Sequence, residues 1–199
     1  ELLIYTKELL IFLQKKNVDV FNADVKGNEG YMYTTKAKLS SVLANKRMTE
    51  AVLDMLNGNV KTLIDAGSGD GTYANEIKSS KPGIRISGFD PAKDAVKRAS
   101  EVYPDIEFFV GNILDSKTIP QRKFDVCVIR GVLHHLNDPQ LAIKNAALLS
   151  DSVIIVEPNG NNPILKVIEK KSQYHIEHEE RSFSSDELKR WSEEAGFVV

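Results

Sequence analysis

Thr62-Leu63-Ile64-Asp65-Ala66-Gly67-Ser68-Gly69-Asp70-Gly71-Thr72 carries the residues that settle the fold class. Leu63 and Ile64 close a short apolar run with the character of a buried strand. Alternating glycines follow, and Thr72-Tyr73-Ala74-Asn75-Glu76-Ile77-Lys78 opens a helix. Strand, glycine turn and helix, in that order, bring backbone N–H groups up to a nucleotide-like ligand at the edge of an open α/β sheet. Two details narrow the ligand. The spacing is G-x-G-x-G, and Thr72 stands where a dinucleotide fingerprint needs its third glycine. Asp65 and Asp70 put carboxylates beside the bend, which would repel a pyrophosphate but suit a sulfonium cation bearing an ammonium group. No Gly-Lys-Ser/Thr follows, which excludes a phosphate-cradling P-loop.

Working outward, strand and helix patterns alternate from Val60 onward, the mark of a parallel sheet covered on both faces. Arg85–Phe89 reads as the second strand, ending at Asp90, with a helix from Pro91 to before Pro104. Ile106–Val110 and Phe124–Ile129 are the third and fourth strands, the latter apolar enough to be central. Asp138-Pro139 is an N-cap followed by proline in the first helical turn, and Ser152–Val156 is the fifth strand. Residues 158–183 are polar with helical potential and are expected to form a lid over the acceptor site. Ser184-Ser185-Asp186-Glu187 is a capping box, and Gly196 stops the last helix. Phe197-Val198-Val199 reads as the start of a sixth strand.

Ahead of Val60, residues 1–58 read as a helical cap, distinct from a core spanning 59–199. Leu2, Leu3, Leu9, Leu10 and Leu13 give an amphipathic helix that stops near Asn17. A second helix runs from Lys38 to Leu56, with Leu39, Val42, Leu43, Val52, Leu53 and Leu56 on one face. The Tyr31-Met32-Tyr33-Thr34-Thr35 cluster between them either packs the cap onto the core or forms a lid over the sheet's carboxyl edge.

Composition is that of an ordinary globular chain: 199 residues, 42% hydrophobic, 27% charged, net charge −2 and pI about 6.1. No global basic field draws it to nucleic acid, and Val153–Val156 and similar runs are too short to span a bilayer. Glu1–Tyr5 lacks the features of a signal peptide, and with no initiator Met further residues upstream are expected. Cys127, the single cysteine, rules out an internal disulfide and suits a reducing cytoplasm. A monomer or homodimer is expected.

With its D-x-G-x-G-x-G core at Asp65–Gly71, the chain from Val60 onward resembles the class I S-adenosylmethionine (SAM)-dependent methyltransferases. The resemblance implies a Rossmann-like three-layer α/β sandwich with a mostly parallel sheet, an N-terminal helical cap and the family's last strands missing. It implies that Asp65 and Gly67 orient the methionine end of the cofactor, with Ser68, Gly69, Gly71 and Pro91 also in the cofactor site; that Asp65 only binds N–H groups of its own loop is the alternative. Asp90, about twenty residues past the loop, is placed to reach ribose hydroxyls, to begin the helix at Pro91, or both. By the same resemblance Asn112 faces the adenine amino group and the Ile113 N–H a ring nitrogen; a plain turn role for Asn112 stays open. A backbone carbonyl at Arg130 would accept from the cofactor ammonium.

Arg130-Gly131-Val132-Leu133-His134-His135-Leu136 resembles the small-molecule branch of that family. The Asn/Asp-Pro-Pro-Tyr/Phe sequence that clamps an exocyclic amine in nucleic-acid amino-methyltransferases is absent. His134 and His135 are the candidate general bases, with a packing role beside the cofactor as the alternative. Glu157 and Asn159 are candidate acceptor contacts. His175-Ile176-Glu177-His178-Glu179-Glu180 places histidines three apart but reads as a charged face or lid, and no metal site is expected. The expected activity is transfer of a methyl group from SAM, leaving S-adenosylhomocysteine (SAH), to oxygen, nitrogen or carbon of a small molecule. A catalytically silent SAM-binding module and a nicotinamide oxidoreductase are the alternatives.

Overall fold

The short apolar runs form strands, and their neighbours in space set a switch point at the glycine bend. A computed structural model describes Lys15 and residues 18–28, 30–31, 39–163, 165–167 and 181–199. Helix α1 covers residues 18–28 and α2 Leu39–Met55, followed by β1 Thr62–Ala66, α3 Thr72–Ser80, β2 Arg85–Asp90 and α4 Lys93–Val102. Then come β3 Glu107–Val110, β4 Val126–Arg130, α5 Pro139–Leu149, β5 Val153–Val156 and α6 Ser185–Glu194. The strands lie in the order β3-β2-β1-β4-β5, each pair parallel. The chain therefore leaves β1 toward β2 on one side and later crosses to β4 on the other. Such a reversal leaves a crevice beyond the carboxyl ends of β1 and β4.

Successive side chains of a strand point to opposite faces, and the core divides accordingly. Leu63, Val126 and Val128 pack with Ala74 and Ile77 of α3 and with Val52 of α2. Ile64, Ala66, Cys127 and Ile129 pack on the other face with Ile143, Ala146 and Leu149 of α5 and Trp191 of α6. The same alternation puts Asp65 and Arg130 on the α2–α3 face at the carboxyl edge. A third, smaller cluster joins Val25 of α1 and Tyr31 to Ala92 and Ala95 at the start of α4.

The predicted caps are present. Asp138 accepts from the Leu141 N–H at 2.9 Å with Pro139 in the first turn, and Ser184 and Glu187 complete a reciprocal capping box. Four expectations change. Residues 18–28, beyond the helix stop expected near Asn17 and rich in turn-forming residues such as Asn22, Gly27 and Asn28, are helical. The helix expected from Pro91 begins at Lys93, because Asp90 accepts from the Ala92 N–H and holds Pro91 in a preceding bend. Phe197-Val198-Val199 is not a strand. Gly196 (φ 95°) and Phe197 donate to Glu193 O and Ser192 O, the paired bonds of a Schellman stop, and Phe197 turns into the core. In α2 only the carboxyl half buries its apolar face: Val52 is fully buried, whereas Leu39 is 75% exposed and Val42 and Leu43 are exposed beside it.

The expected helix at Leu2–Leu13, Met32–Thr35, and the His175–Glu180 stretch with most of the 158–183 lid lie outside the described residues. Among the described residues, no helix is long and apolar enough to cross a membrane.

Candidate functional site

The glycine bend is held from within. Gly67, Gly69 and Gly71 all have positive φ (84°, 53° and 80°), a region that L side chains rarely adopt. The N–H groups of Gly67 and Ser68 donate to Phe89 O, that of Gly69 to Asp90 Oδ2, that of Gly71 to Ser68 O, and that of Thr72 to Asp70 Oδ1. Most of the bend's donors are therefore already engaged, so it offers no open nest of N–H groups to a phosphate.

What the bend does offer is negative. Asp65, Asp70 and Asp90 are all buried around it. Burial pushes the Asp65 carboxyl up to about 7; the Arg130 guanidinium pulls it down and Asp90 pushes it further up. Asp90 is likewise pushed up to about 6 by burial, against the opposing effect of its bonds from Ala92 and Gly69. Among the described residues no donor meets the Asp65 carboxylate, and the buried Ser68 Oγ has no hydrogen-bond partner. These are polar groups at the switch point that a polar, cationic ligand would satisfy.

The segment ahead of α2 covers this bend. A Cβ placed on Gly69 would lie 2.4 Å from Tyr31 Cε2, and the Tyr31 N–H donates to Asp70 Oδ2 at 2.9 Å. Phe21 of α1 meets Tyr31 edge-on at 5.6 Å and His135 at 5.2 Å, bridging the bend to the turn after β4. Asn22 Oδ1 accepts from the Asp94 N–H, and Lys26 pairs with Asp94 at 3.1 Å. Tyr31 thus takes part both in packing and in covering the carboxyl edge.

On the β4 side, Arg130 turns its side chain away from the bend. Its Nη1 donates to Thr49 Oγ1 (2.7 Å), its Nη2 to Asn45 O (2.8 Å), and the guanidinium lies 3.6 Å from the Tyr73 ring centroid. Gly131 continues the ladder by donating to Val156 O, and Leu133–His135 forms a single 3-10 turn. Phe21, Met48, Tyr73, Arg130, His134 and His135 line a cavity of about 330 Å³ there. A cavity of about 400 Å³ at Arg85, Glu107 and Arg122 opens instead at the amino-terminal edge of the strands, away from the bend.

Sequence reasoning placed the bend residues, Asp90, His134 and His135 together at one edge, and there they are. Pro91 lies beside Asp90 in the bend before α4. Asn112 uses its Oδ1 to accept from the Leu114 N–H at 2.9 Å, a local turn, and the carbonyl of Ile113 accepts from Asn145 Nδ2 at 2.7 Å. Asn159 Oδ1 accepts from the Asn161 N–H in another turn. Glu157 turns inward: its Oε1 accepts from the Val132 and Leu133 N–H groups, and its Oε2 meets His134 Nδ1 at 2.6 Å. That link escapes sequence reading because it joins the ends of β4 and β5 across the sheet. Among the described residues no cluster of metal-ligating side chains forms.

Residues 42–199 match the family described as Methyltransferase domain. The release factor glutamine methyltransferase of Aliivibrio fischeri is 26% identical over 163 residues, covering 77% of this chain and 57% of that protein. The chain therefore spans little more than half the length of that relative. A chain in the complex between the Haloferax volcanii Trm112 methyltransferase activator and a methyltransferase has a TM-score of 0.67 at 21% identity, over 92% of this chain and 77% of that one. Magnesium protoporphyrin IX methyltransferase from Synechocystis PCC 6803, solved with bound SAH, has a TM-score of 0.64 at 17% identity, over 81% and 78%. At those identities the likeness is one of fold, and it agrees with the sheet order and the bend. The chain belongs to the methyltransferase-domain family, with the class I SAM-dependent, Rossmann-like fold.

Proposed function

We propose that this chain binds SAM across the carboxyl ends of β1 and β4 and methylates a small molecule held in the cavity beside Arg130 and His134. One observation carries the choice of cofactor. Most of the bend's N–H groups are spent on Phe89, Asp90, Ser68 and Asp70, while the Asp65 carboxylate lies buried beside them with no donor among the described residues. A diphosphate would meet carboxylates in place of free N–H groups. A ligand that is positive at sulfur and at its amino group would instead lower the cost of keeping Asp65 ionised.

Asp65, the Gly67–Gly71 backbone and the Arg130 carbonyl would hold the methionine end, Asp90 the ribose, and Asn112 with the Ile113 N–H the adenine. When bound, the cofactor supplies a methyl group already activated on a sulfonium. The chain's own contribution is then to position the acceptor and exclude water. Tyr31 and Phe21 cover the bend, and residues 1–58 would serve as the lid that lifts for entry and closes over the bound pair.

The Aliivibrio relative is named for a protein glutamine acceptor. Here Arg130-Gly131-Val132-Leu133 does not match the Asn/Asp-Pro-Pro-Tyr/Phe sequence that clamps an exocyclic amine in nucleic-acid amino-methyltransferases, and its run into His134-His135-Leu136 resembles the small-molecule branch of the family, which favours a small-molecule acceptor. Calorimetric titration with SAM, SAH and NAD tests the reading. Binding of SAM and SAH without NAD is expected, with SAH released against an acceptor panel. Binding of NAD in place of SAM would overturn it.

A further inference from the structure

Glu157 stands one residue past β5, and its side chain is 0% exposed although it bears a charge-capable group. Both of its oxygens serve a single turn. Oε1 takes the N–H groups of Val132 (2.8 Å) and Leu133 (2.7 Å), and Oε2 meets Nδ1 of His134 at 2.6 Å. A carboxylate only accepts, so the ring proton facing Glu157 belongs on Nδ1, and a proton taken up by this ring from an acceptor would go to Nε2. His134 lines the 330 Å³ cavity and its side chain is 11% exposed. The neighbouring His135 is placed differently, edge-on to Phe21 and tilted against the His134 ring at 3.9 Å between centroids. The structure thus separates two histidines that sequence treats alike.

We infer that Glu157 is the positioning residue of a His134 general base, and that the acceptor class is a hydroxyl compound rather than an amine or a thiol. This rests on the methyl-transfer reading above. A neutral amine attacks with its own lone pair and needs no base in place beforehand, and a thiol ionises near neutral pH unaided. An alcohol or phenol is the nucleophile that gains from a base braced by a buried carboxylate. In the step, the hydroxyl oxygen forms the O–CH₃ bond while the S–CH₃ bond of the sulfonium donor breaks. The bonding pair stays on sulfur, which becomes a neutral thioether. The hydroxyl proton passes to His134 Nε2, so the positive charge lost at sulfur reappears on the imidazolium, opposed by Glu157.

The test reads the ring directly. Long-range ¹⁵N–¹H correlation on histidine-labelled protein, with His134 assigned by its loss in His134→Gln, reports which nitrogen carries the proton. The proton is expected on Nδ1 in the native chain. Glu157→Gln still offers an oxygen to Val132 and Leu133 but presents an NH₂ to Nδ1, so there the proton is expected on Nε2. The same proteins are then given SAM with 4-hydroxybenzoate, 4-aminobenzoate or 4-mercaptobenzoate as ring-matched probes. Hydroxyl turnover is expected, with kcat falling about 10²–10⁴-fold in Glu157→Gln and in His134→Gln while the SAM affinity stays within about threefold. A native His134 protonated on Nε2 overturns the inference whichever probe reacts, and so does hydroxyl turnover that Glu157→Gln leaves unchanged or turnover of the amine alone. If Glu157→Gln fails to fold, the native tautomer and the His134→Gln rate decide. Failure of SAM to bind at all would sink the methyl-transfer reading instead, and titration alone shows that.

Discussion

The Tyr31 N–H donates to Asp70 Oδ2 at 2.9 Å, and the other oxygen of that carboxylate accepts from the Thr72 N–H at 3.1 Å. One acidic residue of the glycine bend therefore ties the segment before α2 to the first turn of α3. Asp70 so placed does structural work that its sequence position, between two glycines of a ligand loop, does not advertise. Asp70→Ala leaves both N–H groups without acceptors, the Tyr31 one buried, and is expected to cost about 1–3 kcal/mol. Urea unfolding with an unchanged slope and a lowered midpoint would register that loss; an unmoved midpoint would mean that water replaces the carboxylate at no cost.

Tyr31 itself covers Gly69 and is buried, at 3% exposure. Burial and the nearby Asp90 and Asp70 hold its phenol well above the usual tyrosine range, so the ring stays neutral. If the segment is a lid, Tyr31→Ala uncovers the bend. SAM should then associate several-fold faster and dissociate faster too, at a stability cost of about 3 kcal/mol for the lost ring. Surface plasmon resonance separates the two rates. A slower association would show that the ring builds the site rather than gates it.

The parallel sheet was legible because each strand is a short apolar run closed by glycine, proline or an Asx residue, signals that need no distant partner. The bend was legible for the same reason, since positive φ at Gly67, Gly69 and Gly71 is a local demand. Contacts that close across the sheet were not. Arg130 gave no sign that its guanidinium would bind Thr49 and Asn45 of α2, more than eighty residues earlier. Glu157 looked like an acceptor contact at a strand exit and instead pins the turn after β4. Phe197–Val199 misled because an apolar tripeptide after a glycine suits a strand and a Schellman stop equally.

Gly69 illustrates how a glycine can be required for two reasons. At φ 53° an alanine there pays about 1–2 kcal/mol for the left-handed conformation, and its Cβ would meet the Tyr31 ring. Gly69→Ala should therefore lower stability by about that amount and displace the lid even without ligand, which near-ultraviolet circular dichroism in the tyrosine region would detect. The larger Gly69→Val should abolish SAM binding. If it abolishes binding while the tyrosine signal is unchanged, the obstruction is to the ligand alone.

Asp90 bonds to Gly69 and Ala92 through different oxygens, and each oxygen keeps a further lone pair for a ribose hydroxyl. Asp90→Ala should weaken SAM binding by about 1–3 kcal/mol and remove the bond from the Gly69 N–H, leaving the Gly67 and Ser68 bonds to Phe89 as the bend's ties to β2. Asp90→Asn turns one acceptor into a donor facing an N–H, so it should lose affinity as well. Calorimetry on both variants checks this, and an unchanged affinity in either removes Asp90 from the ribose site.

The raised carboxyls give the protein a pH response of definite sign. Asp65 at about 7 and Asp90 at about 6 both lie above their unfolded values near 4, so between about pH 4 and pH 7 the folded chain binds more protons than the unfolded one. Their contribution to the stability of the free protein is fully present below about pH 4 and is lost as the pH rises through 6 and 7. Binding of a cation runs the other way. SAM favours ionised Asp65, so binding should release a proton near pH 6, and affinity should rise with pH up to about 7, by at most about tenfold per unit for one coupled group. Calorimetry at pH 6 in buffers of different ionisation enthalpy measures the released proton, and the increase in Tm on adding SAM should grow from pH 5.5 to pH 7. Arg130→Met removes the cation that draws the Asp65 value down and should move this whole response to higher pH. An affinity that does not vary between pH 5.5 and pH 7 would mean that Asp65 does not face the ligand's charge, and the assignment of the methionine end to β1 would fall with it.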